Sequence, residues 1–389
     1  MPRPSRRLWL EPLEGRVNPV SFGSPTEYMF GGNSGFSAAG DFDGDGDLDV
    51  VVADFVAGVI PMVNTGAGAF TVGAALPIKD VRSVRVVDMD GDGKQDIVAA
   101  SGRLASGGSG ENVAIARGNG DGTFAAPITR PIADPQALTV ADFNGDGRPD
   151  VAVVANHLFV MLNNGTATTV LDPPVRYVTD SDGLDLTAAD FNGDGKPDVA
   201  ISGNTTTRVD VLLNTGTGAF GEKVSYPLTG RGGGIAAADL DRDGRPELLV
   251  TRTFGGQLSV LKGNTDGTFQ APVVYTAPSP HGPGPLAVAD YDLDGNLDVV
   301  GSSFHTDGIV LWTGTGEGTL NTPVVFNGGI GPSGITAADV TGDGRPDLVA
   351  PQRSSPGGVK IYPNTTGVLR VPSPVPVHRT IPSVWKLDP

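Results

Sequence analysis

The sequence contains no cysteine. That absence excludes disulfide bonds, thiolate zinc sites and cysteine nucleophiles, although it does not by itself place the protein inside the cell. Aromatic residues make up only 6% of the chain, so the exposed aromatic platforms that sugar binding favours are few. No apolar run approaches the roughly 20 residues that a membrane-spanning helix needs.

Signals for helices and for common catalytic motifs are also missing. No Gly-x-Ser-x-Gly elbow, phosphate-binding glycine loop or zinc-binding helix motif is present. The four histidines form no metal-ligand or triad spacing: His157, His281, His305 and His378. We therefore assign no catalytic residue and expect a protein that binds rather than catalyses. If the protein is an enzyme, His281 and His305 in predicted loops are the first catalytic candidates.

The formal net charge is −17. Such acidity argues against nucleic acid and anionic membrane surfaces as partners. The 57 glycines and 32 prolines approach the level typical of disordered chains. They recur in register with the acidic stretches described next, so we interpret them as turns between short strands.

A nine-residue acidic motif is repeated seven times. Its first copy reads Asp-Phe-Asp-Gly-Asp-Gly-Asp-Leu-Asp over residues 41–49, and successive copies start 47 to 54 residues apart. We number its positions as places one to nine. Every copy has glycine at place six, which permits a sharp turn, and an acid at place nine. The copies begin at Asp41, Asp88, Asp142, Asp190, Asp239, Asp290 and Asp339.

Alternating carboxylates on one tight loop predict a hard-cation site, because calcium takes six to eight oxygen ligands. Place seven would contribute its backbone carbonyl, and its side chain is basic in five copies, where it can offset negative charge. The candidate metal residues are Asp41, Asp43, Asp45, Asp47, Asp49; Asp88, Asp90, Asp92, Lys94, Asp96; Asp142, Asn144, Asp146, Arg148, Asp150; Asp190, Asn192, Asp194, Lys196, Asp198; Asp239, Asp241, Asp243, Arg245, Glu247; Asp290, Asp292, Asp294, Asn296, Asp298; and Asp339, Thr341, Asp343, Arg345, Asp347.

The acidity of the chain is mostly a property of these loops. Twenty-five of the 44 acidic residues stand at places one, three, five and nine. Up to seven Ca²⁺ ions would contribute +14 against −17 and leave a formal charge of −3. The two copies that depart most from the pattern, with Glu247 at place nine and Thr341 at place three, are the weakest candidate sites.

Each repeat predicts four short strands. Apolar, β-branched runs bounded by glycine and aspartate enter the loop, as at residues 84–87, and leave it, as at 151–154. A third strand precedes a turn that ends in a large apolar residue such as Phe220, and a weaker fourth strand follows. Four strands in about fifty residues, seven times over, predict an all-β, seven-bladed propeller with four-stranded antiparallel blades.

The ring needs one more strand to close the last blade. Residues 20–30 from the N-terminal side or 375–380 from the C-terminal side could supply it, and closure removes an exposed sheet edge. We favour residues 20–30, because they precede the first loop as every other fourth strand precedes a loop. A glycine- and serine-rich insertion at 103–112 explains the longest spacing and predicts a surface loop.

Four other interpretations of the loops compete with a functional calcium site. An EF-hand needs flanking helices and a glutamate at place twelve, and both are missing. Calcium-binding β-helix repeats have a much shorter period. Asp-Gly pairs also make simple turns, but four acids on one loop would repel one another without a cation. Calcium can still be purely structural, pinning two strands together in each blade.

The motif Asp-x-Asp-Gly-Asp-Gly-x-Pro-Asp, followed by a strand and Leu-Leu-Asn-x-Gly-x-Gly-x-Phe, resembles the FG-GAP or VCBS repeat. The resemblance covers about residues 20–380 and implies an integrin-like seven-bladed propeller with a calcium loop between the first two strands of each blade. A propeller fold does not by itself name a function, and we expect a binding or adhesion module for a protein or glycan that acts as a monomer. Some related propellers resemble sugar binders, and others carry polysaccharide lyase activity, so a lectin and a lyase remain alternatives.

The chain divides into a basic leader at 1–19, the propeller at 20–380 and a tail at 381–389. The leader lacks a conventional signal-peptide core. Its residues 10–16 resemble a short motif, Leu-Glu-Pro-Leu-Glu-x-Arg, found at the start of many exported or surface bacterial proteins; a disordered basic leader is the alternative. Calcium is scarce in the cytosol, so the loops favour an extracellular or cell-surface location by an undetermined export route.

Four aromatic residues were considered as sugar platforms. Trp312 adjoins a predicted strand, and Tyr177, Tyr226 and Tyr275 fall near fourth strands. We expect Trp312 to pack between blades and the tyrosines to pack in the core or at blade edges.

Overall fold

The computed structural model describes residues 19–102, 110–166, 170–179, 183–203, 205–252, 256–278, 283–303, 308–327, 333–353 and 357–367. These residues form seven four-stranded antiparallel sheets, and they include no α-helix and therefore no helix able to cross a membrane. The predicted seven-bladed, all-β propeller is confirmed.

The first strand of each blade lies against the first strands of the two neighbouring blades, so seven such strands surround a central channel. They are β2 (Ser34–Gly40), β6 (Val81–Val87), β10 (Ala137–Ala141), β14 (Gly183–Ala189), β18 (Gly232–Ala238), β22 (Pro283–Ala289) and β26 (Thr336–Ala338). The second strands are β3 (Asp49–Asp54), β7 (Asp96–Ser101), β11 (Asp150–Val154), β15 (Asp198–Gly203), β19 (Glu247–Arg252), β23 (Asp298–Ser303) and β27 (Asp347–Gln352).

The two outer positions of each blade complete the sheets. The third strands are β4 (Gly58–Asn64), β8 (Asn112–Ala116), β12 (Leu158–Met161), β16 (Arg208–Leu212), β20 (Gln257–Leu261), β24 (Gly308–Trp312) and β28 (Gly358–Tyr362). The fourth strands are β5 (Phe70–Val72), β9 (Ile128–Pro131), β13 (Val175–Tyr177), β17 (Val224–Pro227), β21 (Val273–Thr276), β25 (Val324–Asn327) and β1 (Thr26–Met29).

The N-terminal segment closes the ring, as predicted. β1 pairs antiparallel with β28, with Thr26 opposite Ile361 and Met29 opposite Gly358. The last blade therefore takes its outer strand from the other end of the described chain, and its sheet edge is covered. The alternative closing segment, 375–380, and most of the insertion at 103–112 lie outside the described residues.

The second strands begin one residue earlier than the sequence pattern suggested. Each starts at the place-nine acid itself, as at Asp150, and the place-eight residue, such as Pro149, precedes the strand instead of opening it. The acid is drawn into the sheet because its carboxylate has backbone partners there. This shift matters for the candidate site, since the place-nine side chain is buried, whereas the side chains at places one, three and five are more open in every loop except at Asp292.

The hydrophobic core is divided among the contacts between blades. Seven buried clusters occur in the described structure, and each joins residues of two neighbouring blades. The large residue after the third-strand turn packs edge-on against place two of the preceding blade, with ring centroids 5.5 Å apart for Phe143 and Phe220. Burial of such rings holds each loop against its neighbour.

Candidate metal centres

All seven acidic loops join the first strand of a blade to the second, so they lie at one end of the propeller. The place-one carboxylate organises the turn by accepting backbone hydrogen bonds. Asp142 accepts from Gly145 N at 2.7 Å, Asp146 N at 3.1 Å and Gly147 N at 2.8 Å. The bond from place six recurs in all seven loops. Place six has positive φ each time, 83° at Gly147, which favours glycine.

Places three and five fold the loop in the same way. Asn144 Oδ1 accepts from Asp146 N at 2.9 Å, and Asp146 Oδ1 accepts from Arg148 N at 2.9 Å. The second of these bonds is present in every loop. Several acidic side chains are thus held on one tight turn by the backbone, before any cation is considered.

The place-nine carboxylate ties the loop to the blade. Asp150 Oδ2 accepts from Phe143 N at 2.9 Å, and its Oδ1 accepts from Asn163 N at 2.6 Å, just beyond the third strand. The bond to place two recurs in all seven loops. The place-nine carboxylate therefore connects the loop to the blade, in addition to being a candidate ligand. The sequence pattern did not reveal this structural role.

Burial raises the pKa of the place-nine carboxyls, and the acids nearby push in the same direction, whereas the backbone hydrogen bonds oppose the shift. The pKa reaches about 6 at four of these residues and about 7 at two, and that of Asp347 is raised as well. The first four are Asp49, Asp96, Asp150 and Asp198, and the other two are Glu247 and Asp298.

This shift predicts a pH dependence for the calcium-free protein. The unfolded chain releases these protons near pH 4, whereas the folded protein keeps them until about pH 6 to 7, so the free energy of unfolding should fall as pH rises across that interval. In EGTA, the thermal midpoint should therefore be lower at pH 7.5 than at pH 5. A thermal midpoint that rises over the same interval would contradict this assignment. The midpoint of the calcium-loaded protein, measured in parallel, should fall less between pH 5 and pH 7.5.

The donor sets fit a divalent, oxygen-preferring cation such as calcium. In four loops, three acids each bring one carboxylate oxygen to within 4.8 Å of the others: Asp41, Asp43 and Asp45; Asp88, Asp90 and Asp96; Asp239, Asp241 and Glu247; Asp290, Asp292 and Asp294. The remaining three loops have asparagine or threonine at place three, so they offer one carboxylate fewer.

A buried oxygen in loop five supports the same fit. Glu247 Oε2 accepts from Leu240 N at 2.8 Å, but Glu247 Oε1 has no hydrogen-bond partner among the described residues. The longer side chain does not reproduce the double contact made by aspartate. This oxygen stands at a ligand place, and a cation would satisfy it.

Basic side chains partly neutralise five loops at place seven. Lys94 Nζ lies 3.3 Å from Asp92, Arg345 Nη1 lies 2.9 Å from Asp343, and the equivalent pairs form at Arg148, Lys196 and Arg245. The predicted charge offset at place seven is confirmed. Loops one and six have Asp47 and Asn296 there, so they have no basic side chain of their own at place seven, although Arg242 Nη2 donates to Asn296 Oδ1 at 3.2 Å.

Two loops receive a second cation from the residue that follows the third strand. Lys262 Nζ contacts Asp241 and lies 3.8 Å from Asp243, and Arg117 Nε lies 3.2 Å from Asp90. An ammonium group beside places three and five competes directly with a metal ion for the same oxygens. Loop five, which also carries Glu247, is therefore expected to be among the weakest sites.

Asparagine side chains connect neighbouring loops. Asn163 Nδ2 donates to Pro149 O of its own loop at 3.1 Å and to Met89 O of the preceding loop at 2.6 Å. Asn214 Nδ2 bridges loops four and three in the same way, with Phe143 O at 2.8 Å. The contact to the preceding loop recurs at Asn64 with Val340 and at Asn364 with Tyr291.

Blades two, five and six have a glycine at this position: Gly118, Gly263 and Gly314. A glycine has no side chain with which to form the bridge. Through this contact, loops two, three and four make one linked group, and loops six, seven and one make another. Loop five stands outside both groups.

The candidate aromatic residues and His157 have packing or polar contacts within the propeller. Trp312 is fully buried between blades, and Tyr177 packs edge-on against Phe220 at 5.4 Å. Tyr275 Oη accepts from Leu320 N at 3.1 Å, and Tyr226 packs on Phe269. The expected core and edge packing of these aromatics is confirmed. His157 Nδ1 lies 3.2 Å from Thr179 O; His281, His305 and His378 lie outside the described residues.

Comparison with solved structures finds similar folds at low sequence identity. A lectin from Agrocybe aegerita that specifically recognises non-reducing terminal N-acetylglucosamine is 21% identical, covers 77% of this chain and 81% of its own, and has a TM-score of 0.53. BBS1N in complex with ARL6DN is 11% identical, with 88% and 96% coverage and a TM-score of 0.62. A protein of unknown function from Desulfotomaculum acetoxidans is 15% identical, with 77% and 90% coverage and a TM-score of 0.54.

These identities support the fold alone. A search of curated proteins finds no match. The model of the FG-GAP-like repeat matches residues 41–99, 88–153, 190–250, 247–301 and 290–350, which together span more than half of the chain. Each of these ranges contains acidic loops and the strands that flank them. The chain therefore belongs to the FG-GAP-like repeat family.

Proposed function

We propose that the seven loops bind calcium, up to seven ions, and that the ions mainly stabilise the propeller. The observation that carries this proposal is the convergence of three carboxylate oxygens within 4.8 Å in each of four loops. A bound ion would neutralise acids held together by backbone hydrogen bonds, and it would link the first and second strands of a blade. Places one, three, five and nine would supply the side-chain oxygens.

The rigid disc would serve as an exported or cell-surface binding module for a glycan or protein. Extracellular calcium levels suit open sites of this kind. The structural likeness to a lectin that recognises N-acetylglucosamine supports a glycan ligand. A lyase is the second candidate: His281 and His305 would be its candidate bases, and a calcium ion would stabilise the developing anion.

Retention on immobilised polysaccharides tests the binding role. The calcium-loaded protein should be retained on at least one member of a panel of acidic and neutral polysaccharides, and EGTA should weaken that retention. Ultraviolet absorbance from unsaturated sugar ends should not rise during incubation. A steady rise would overturn the binding assignment in favour of a lyase, and absence of retention throughout would refute the glycan role and leave a protein partner.

A further inference from the structure

A cavity of about 340 Å³ opens into the central channel at the end away from the acidic loops. Its wall is built by the starts of the first strands of all seven blades, mostly four to six residues before place one, as at Phe36 and Ile335. At about 3.3 Å per residue, this wall lies roughly 13–20 Å along the strand from the loops. The cavity is therefore separate from the candidate metal centres.

The backbone is irregular where it borders this cavity. Five of the seven first strands have a register shift there, for example between Val81 and Ser83 and between Gly183 and Asp185. Such bulges redirect side chains and occur often beside binding sites. Here they lie at or beside Arg82 and Asp185, two of the charged residues in the wall.

Arg85 contributes a partly buried guanidinium group to the wall. It stands three residues before place one, where the other six first strands have only alanine or threonine. Its Nη1 donates to Val84 O at 2.9 Å and approaches Ser83 Oγ at 3.5 Å. The Arg85 guanidinium also interacts electrostatically with Asp185 of the wall, but no described residue accepts a hydrogen bond from its Nε or Nη2, so these donors are available to a ligand.

The rim adds further positive charge to a chain that is acidic overall. Arg353 is exposed there, and no described residue pairs with it. Arg82 Nη1 donates to Gln136 Oε1 at 2.5 Å and its Nη2 lies 3.9 Å from Asp134 of the adjoining cavity, so the charge of this guanidinium is partly offset. Asp185 accepts backbone hydrogen bonds from Ile235 N at 3.1 Å and Leu186 N at 2.9 Å, and it is the one acid in the wall of this cavity.

The wall also supplies apolar and hydroxyl-binding surfaces. Phe36, Phe55 and Ile335 offer apolar contacts, while Ser37 and Asp185 can bond hydroxyl groups. A second cavity of similar volume adjoins the first and shares Arg82, Gln136 and Leu184 with it. The volume is at the small end of ligand pockets, about 300–1,000 Å³, and suits one or two sugar rings.

We propose that the central cavity binds an acidic sugar, with the carboxylate of a uronic acid on Arg85 and Arg353 and its hydroxyls on the serine and aspartate groups of the wall. Guanidinium groups form paired hydrogen bonds with carboxylates. The one acid in the wall repels a singly charged ligand less than a doubly charged one. The adjoining cavity would accept the next sugar of the chain. This assignment rests on the proposed binding role and names its site and ligand class.

Calorimetric titration of the calcium-loaded protein with galacturonate and glucuronate, each as monomer and dimer, tests the site. A uronate should bind, its dimer more tightly, and galactose, glucose and inorganic sulfate at least tenfold more weakly. Arg85→Gln should reduce uronate affinity at least tenfold, and Arg353→Gln severalfold. Arg176→Gln removes the same charge from an exposed position on β13 and should leave affinity unchanged.

Arg353 is exposed, so its variant remains informative if Arg85→Gln fails to fold. Equal binding of galactose and galacturonate, equal binding of sulfate, or uronate binding unaffected by either arginine variant would overturn the assignment. Calcium-dependent thermal stability is measured on the same samples. If calcium stabilises the protein and a neutral polysaccharide retains it while no uronate binds, the cavity assignment fails and the proposed binding role stands.

Discussion

Chelation of calcium should lower the thermal midpoint at pH 7.5 by on the order of 10 °C. A site filled at one hundred times its dissociation constant contributes about 2.7 kcal/mol to folding, and one at ten times about 1.4 kcal/mol. For domains of 150–250 residues, 1 kcal/mol shifts the midpoint by roughly 2–4 °C, and the shift is smaller for longer chains. Several such sites acting together give the expected change.

The lower thermal midpoint is expected because acidic side chains repel one another in loops that have lost their ions. Asp41, Asp43, Asp45, Asp47 and Asp49 fall within nine residues, and backbone hydrogen bonds hold four of them on the turn. Calorimetry in calcium and in EGTA measures the effect, with magnesium added to the EGTA sample as the control for ionic strength. Excess calcium should restore the midpoint. An identical melt in calcium and EGTA would refute the stabilising role.

Asp150→Ala and Asp146→Ala should separate the two roles of the loop acids. Asp150 is fully buried and accepts from Phe143 N and Asn163 N, so its loss leaves two backbone donors without their acceptor. Each buried unsatisfied group costs about 1–3 kcal/mol, which predicts a destabilisation of roughly 2–5 kcal/mol even in EGTA. Asp146 is much more open, and its loss in EGTA should change stability little.

Each variant should bind one calcium ion fewer than the unmodified protein. Denaturant unfolding in EGTA and in calcium, with Asp172→Ala as an exposed control outside the motif, resolves the difference. Equal destabilisation of the two variants in EGTA would contradict the structural role assigned to the place-nine carboxylate. If Asp150→Ala also weakens calcium binding in loops two and four, the bridges made by Asn163 and Asn214 provide the route.

The repeat was the most informative feature of the sequence. A fixed period, acids at alternating places and short β-branched runs predicted seven blades, the loop positions and closure by the N-terminal segment. These features are local, or they repeat locally, so each copy strengthens the inference from the others. The packing of Trp312 and Tyr177 also followed from their places beside strands.

Features that depend on contacts between residues far apart in the sequence could not be predicted. The start of the second strand at Asp150 depends on its bond to Asn163 N, which only the folded blade supplies. The cation beside loop five comes from Lys262, outside the motif. Arg85 and Asp185 are one hundred residues apart, and only the closed ring places them in one cavity wall.

The most direct test of the central claim is a count of bound calcium by equilibrium dialysis and metal analysis at pH 7.5. We predict several ions per chain, up to seven at saturation, with loops one and six tightest and loop five among the weakest. Lys262→Gln should strengthen the binding in loop five, since it removes the competing ammonium group. Detection of no calcium at millimolar free concentration, in a folded sample, would contradict the account.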